Sequence, residues 1–183
     1  HGRTPAERLR STAMVELLYA TGLRVSELCA LPLAAVRGDP KMALVKGKGG
    51  KERMVPLSPP ARAALAAWLA HLDSEAAKLR AAGKPVPKHL FPARGKDGHW
   101  TRQQVFVTLK SIAARAGIDP AAVTPHRLRH AFATHLLAHG ADLMVIQTLL
   151  GHADVATTEI YTHVLDDHLK EIVLTRHPLA RKG

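Results

Sequence analysis

Helix punctuation constrains this chain more than any other feature. Thr4-Pro5-Ala6-Glu7 has the form of a capping box with proline at the first helical position. Leu9, Ala13, Leu17 and Ala20 then recur at helical spacing until Gly22. A second short helix is predicted over 25–31, stopped by Pro32, which leaves Arg24 at the junction. Leu65, Trp68, Leu69 and Leu72 mark another helix that runs toward Gly83. Further helices are predicted over 101–117, 124–140, 142–151, 154–164 and 166–176, each with a cap at one end or both. The stretch 84–100, with its prolines and lysines, reads as a surface connection.

The helical period breaks once. Between Leu33 and Leu57 two β-compatible runs, MALVK at 42–46 and ERMVPL at 52–57, flank a lysine-glycine stretch at 47–51. They predict a hairpin with Lys48 near its tip. A short strand near 35–37 would complete a three-stranded antiparallel sheet. The expected fold is mainly α with a small three-stranded antiparallel β-sheet. Aromatic residues make up only 4% of the chain while alanine is abundant, which suits helices packed closely through small side chains. At 183 residues and 46% hydrophobic the chain can bury one sizeable core, so a single domain over 1–183 is expected.

Lysine and arginine total 26 against 15 acidic residues, a net charge of +11. That balance favours a polyanionic partner, nucleic acid first, although charge alone fits an ordinary basic protein equally well. No run approaches the ~20 apolar residues of a membrane span, and no secretory leader is legible. Cys29 is the lone cysteine and has no partner for an internal disulfide, which is compatible with a reducing, cytoplasmic setting. Because the chain starts at His1 and runs at once into a helix, it reads as one domain of a longer protein.

Several segments carry chemistry. TPHRLRHAF opens a helix at Thr124, placing His126 and Arg129 three residues apart on one face near its positive end. A basic solvated face shared with Arg127 and His130 is the plainer reading. In LLGHADVATTEIYTHV, Gly151 ends a helix, His152 lies in the turn and Tyr161 on the next helix, with Leu149, Leu150 and Ile160 as core anchors. A helical tyrosine is ordinarily half-buried with its hydroxyl bonded, so only its company marks Tyr161. In TGLRVSEL, Glu27 stands three residues after Arg24, placed either to fix its guanidinium or to form a surface ion pair worth little. In VKGKGGKER, a hairpin could carry Lys48 over a bound backbone, or expose an ordinary basic turn.

Taken together and in order, TGLRVSEL, the GKGGKERMVPL hairpin, HRLR and LLGHADVATTEIYTHV resemble the motif series of the tyrosine recombinase, or phage integrase, family. The surrounding text is most similar to the bacterial Xer recombinases, nearer the XerD than the XerC type. The resemblance implies a C-terminal catalytic domain whose N-terminal core-binding domain, a SAM-like helical bundle, is absent from these 183 residues. Carried over residue by residue, it puts the catalytic arginines at Arg24 and Arg129, the hairpin lysine at Lys48, the histidines at His126 and His152, and the nucleophile at Tyr161. Glu27 would support Arg24, while Lys46, Lys51, Arg53 and Arg127 are candidates for the DNA backbone. The implied activity is site-specific cleavage and rejoining of DNA through a 3′-phosphotyrosine, with no metal, cofactor or ATP. The implied partners are double-stranded DNA at a recombination site, a tetramer with a like or related recombinase, and a septal DNA translocase. The setting would be chromosome-dimer resolution at cell division. A C-terminal helix at 166–176, with Leu169, Ile172 and Val173, would dock into a neighbouring subunit or pack on its own domain.

Other readings remain open at this point. A metal-dependent nuclease draws on the 12 histidines, but HRLRH lacks the glutamate between them and carboxylates are sparse nearby. An ATP-binding loop at 47–51 fails the glycine spacing. A phage or mobile-element integrase, a relaxing topoisomerase of the tyrosine type and a non-catalytic DNA-binding module fit the same charge and helices.

Overall fold

The computed structural model describes Gly2 and residues 4–38 and 41–151. Six α-helices and one β-hairpin are formed by these residues: α1 Pro5–Thr21, α2 Val25–Cys29, β1 Met42–Lys46, β2 Glu52–Pro56, α3 Pro59–Ala81, α4 Arg102–Arg115, α5 Pro125–Ala138 and α6 Leu143–Leu150. The helices predicted at 154–164 and 166–176, and the anchor Ile160, lie outside the described residues.

The first helix starts as its sequence dictates. The Thr4 hydroxyl accepts from the Glu7 N–H at 3.2 Å and the Glu7 carboxylate accepts in return from the Thr4 N–H at 3.2 Å. The helix stops at Gly22, whose φ of 62° is a left-handed cap that a Cβ would disfavour. Ala13, Met14, Leu17 and Leu18 are fully buried, so α1 is the central rod, packed against α3 on one side and α5 on another. On α3, Ala61, Leu65, Trp68, Leu72 and Ala76 recur every three or four residues along the buried stripe. Phe132 and Leu136 of α5, with Val145, Ile146, Leu149 and Leu150 of α6, close the same core.

The hairpin is antiparallel, with Met42 opposite Pro56 and Lys46 opposite Glu52. Only these two strands form among the described residues. The segment expected as a third strand is a 3-10 turn, Leu33–Val36, with Pro32 before it setting an extended entry. Its Ala35 N–H is satisfied locally by Pro32 O rather than by a neighbouring strand.

The connection at 84–100 also departs from expectation, because it is not confined to the surface. Leu90, Phe91 and Trp100 are buried in the core. Leu90 N donates to Leu31 O and Leu33 N to Lys88 O, both at 2.9 Å. Trp68 Nε1 donates to Leu90 O at 2.8 Å, and the Arg10 guanidinium lies 4.3 Å from the centroid of the Trp100 ring. No helix among the described residues is long and apolar enough to cross a membrane.

Candidate active site

The C-terminus of α1, the start of α2, the second strand, α5 and the end of α6 meet at one place. Its centre is Glu27, whose side chain is only 5% exposed. Arg24 occupies the cap position of α2, so Glu27, three residues on, reaches back to it. The Arg24 N–H donates to Glu27 Oε2 at 2.8 Å and Arg24 Nη1 to Oε1 at 3.1 Å. Arg53 approaches from β2 and grips the same carboxylate with both prongs, Nη1 to Oε1 and Nη2 to Oε2, each at 2.9 Å. Two parallel bonds from a planar fork make this the strong form of an ion pair. Burial, the largest single influence, pushes the Glu27 carboxyl up. The hydrogen bonds and charges of Arg53 and Arg24 together outweigh it and hold the group below its ordinary value.

Three arginines also converge on the end of α6. Arg53 Nε donates to Leu149 O at 2.9 Å, Arg129 Nη2 to Leu150 O at 2.7 Å and Arg24 Nη2 to Gly151 O at 3.4 Å. Arg129 Nη1 donates in addition to Gly22 O. The last carbonyls of a helix lack intrahelical partners and carry partial negative charge, so guanidinium groups satisfy both needs at once. Gly151 closes the turn at φ 65°, and a Cβ there would lie 2.9 Å from Arg53 Nη1. Only a glycine permits so close an approach.

The electrostatics leave a surplus. Among the described residues, Arg24, Arg53 and Arg129 set three positive charges against the one of Glu27, a local excess of two. Burial pushes the Arg129 guanidinium down to about 10, with the neighbouring charge of Arg24 adding to the effect. It stays protonated at neutral pH, but a positive group in that position gains from any anion brought near it. Arg24, whose side chain is 39% exposed, presents part of that charge to solvent.

The sequence-derived residues fall as follows. Arg24, Glu27 and Arg129 are brought together. Lys48 opens the short 3-10 turn Lys48–Gly50 that joins the two strands, and Lys46 and Lys51 flank it, both exposed. His126 is exposed in the first turn of α5, one turn before Arg129. Arg127 is exposed beside it and Nη1 donates to Ala122 O at 3.4 Å. His152 and Tyr161 lie outside the described residues, the former directly after the arginine-held turn. Arg53, read as a backbone contact for DNA, has its Nε and both Nη atoms bonded inward to Glu27 and Leu149, and its side chain is 12% exposed. The signal for this was strand alternation: Arg53 shares a face with Val55, which is fully buried.

Fold and site together define an α-rich domain with an arginine cluster suited to an anion. Residues 3–168 match the Phage integrase family, and the chain belongs to it. It is 56% identical over 177 residues to the tyrosine recombinase XerD of Caulobacter vibrioides, covering 97% of this chain and 57% of the relative. The chain thus spans little more than half the length of that recombinase. Among solved structures, the integrase from mycobacterium phage Brujita superposes with a TM-score of 0.69 at 30% identity, covering 96% of this chain and 54% of the other. The XerH site-specific recombinase bound to difH substrate gives 0.67 at 24% identity, over 94% of this chain and 44% of the other, a likeness of fold.

Proposed function

We propose that this chain is the catalytic domain of a site-specific DNA recombinase of the XerD type, working within a longer protein that carries a core-binding helical domain ahead of it. The observation that carries the reading is the convergence of Arg24 and Arg129 on the turn that leads into His152, with Glu27 bracing Arg24. Displacement at a phosphodiester builds negative charge on the nonbridging oxygens, and two fixed guanidiniums stabilise it without reorganising.

In this reading Tyr161 Oη attacks the phosphorus and the bond from phosphorus to the 5′-oxygen breaks. A phenol with a pKa near ~10 is ionised to roughly one part in a thousand at pH 7, so its proton needs an acceptor, which is His126. The departing 5′-oxygen takes a proton from Lys48, and His152 hydrogen-bonds the phosphate. A 3′-phosphotyrosine retains the energy of the broken bond, so a 5′-hydroxyl from a second duplex reverses the step and exchanges strands without ATP. The partners are double-stranded DNA bearing a recombination site, a tetramer formed with a like or related recombinase, and a septal DNA translocase. The setting is the cytoplasm at chromosome-dimer resolution. Likeness to a phage integrase keeps a mobile-element role as the second reading, but sequence identity to XerD is much the higher and favours the first.

The test uses the full-length protein and a nicked duplex taken from a randomised pool by its binding to that protein. Wild type forms a protease-sensitive adduct on the 3′ side of the break and Tyr161→Phe forms none. An adduct that persists in Tyr161→Phe would sink the assignment.

A further inference from the structure

The residue immediately before each of two proposed catalytic side chains, Gly47 before Lys48 and Gly151 before His152, faces the same guanidinium. A Cβ on Gly47 would stand 3.3 Å from Arg53 Nη1, and one on Gly151 would stand 2.9, 3.0 and 3.2 Å from Nη1, Cζ and Nε. The same group grips Glu27 with both prongs, and Glu27 holds Arg24 through its main chain and its side chain. We infer that Arg53 is a positioning residue for strand cleavage, the single group against which the hairpin at Gly47, the Arg24 junction and the turn at Gly151 are set in register. The inference rests on the proposed recombinase reading.

Charge compensation alone does not account for this arrangement. Arg24 already supplies Glu27 with two hydrogen bonds and a positive charge. The bond from Arg53 Nε to Leu149 O does nothing for the Glu27 charge, and neither does the room that Gly47 and Gly151 leave for its guanidinium by lacking a Cβ. Both features instead bear on where two loops lie against it. Arg53 is well placed to transmit geometry because its planar fork has few ways to satisfy all three acceptors at once. A misplacement of about 1 Å in a group it supports is enough to cost on the order of a hundredfold in rate.

The test compares Arg53→Lys and Arg53→Met with wild type in the full-length protein, on the nicked duplex described above. Duplex affinity is read by mobility shift and adduct formation by single-turnover kinetics at saturating protein. Both variants are expected to bind within about threefold of wild type and to form the adduct about tenfold more slowly or worse. To separate positioning from charge balance, Arg53→Met is repeated in a Glu27→Gln background, where no carboxylate charge remains to be compensated. There it is expected to cost a further fivefold or more, roughly. A smaller loss in that background, or a loss of binding equal to the loss of rate, would overturn the inference. Should wild type itself form no adduct, the recombinase reading fails and takes the inference with it. A wild-type adduct with unimpaired Arg53 variants overturns the inference alone.

Discussion

Replacing Glu27 by glutamine removes one negative charge while keeping shape, and the structure sets the size of the effect. Each carboxylate oxygen accepts two bonds: Oε2 from the Arg24 N–H and Arg53 Nη2, Oε1 from Arg24 Nη1 and Arg53 Nη1. Whichever way the new amide is turned, its NH2 meets two donors that previously had an acceptor. Two charge-assisted bonds at about 1.5–3 kcal/mol each are lost, offset by no longer burying a carboxylate, which leaves a net destabilisation of roughly 2–4 kcal/mol. The control is Asp73→Asn, which removes the charge and one of the two acceptor oxygens that Arg37 uses, in a pair whose side chains are 44% and 54% exposed. Water and salt screen that pair, so the expected cost is under ~1 kcal/mol. Urea unfolding followed by far-UV circular dichroism measures both. With a slope of about 2 kcal/mol per molar urea, Glu27→Gln should lower the midpoint by roughly 1–2 M and Asp73→Asn by less than ~0.5 M. Equal shifts in the two variants would refute the claim that burial and the fork geometry make the Glu27 pair strong.

Three further outcomes follow from the same geometry. Because the folded Glu27 carboxyl is held below its ordinary 4.5, the unfolded chain takes the proton first. The stability it contributes is therefore present above that value and is lost as pH falls through the depressed one, so the gap between wild type and Glu27→Gln should narrow from about pH 5 downward; a gap that widens instead contradicts the sign. Gly22→Ala combines φ 62° with a Cβ that would stand 2.4 Å from Phe132 Cδ1 and 2.9 Å from Leu150 Cδ2. It should destabilise the protein by about 2–4 kcal/mol, and a midpoint within error of wild type would show that the core yields freely. Burial pushes the Cys29 thiol up to about 11 and leaves the residue 3% exposed, so a disulfide reagent at neutral pH should label it only after denaturation, while labelling of the native protein within minutes would contradict that.

Local signals in the chain were legible wherever one residue type had one strong preference. The capping box at Thr4 and the stop at Gly22 set both ends of α1 as expected, and the pairing of Glu27 with Arg24 followed from their spacing. What escaped were features decided by distant partners. The stretch 84–100 carries the composition of a surface loop, yet Leu90 is held inward by Trp68 and by main-chain bonds of residues 88 and 90 to 33 and 31, while Phe91 is bonded to and packs beside Trp100. The residues near 35–37 are β-compatible, but among the described residues no strand pairs with them, and a 3-10 turn closes their bonds locally. Arg53 sits among exposed lysines in a basic hairpin, so its composition points outward. Its alternation with Val55 points inward, and the buried Glu27 decides between them.

The end of α6 is held by side chains from three separate parts of the chain, yet every acceptor it offers them is a main-chain carbonyl. Substitution tolerance should therefore be lopsided. Positions 149 and 150 are free to exchange among apolar residues of similar volume, since the carbonyls remain whatever side chain is attached. Residues 24, 53, 129 and 151 have no such latitude, because there the side chain, or the lack of one, is itself the connection.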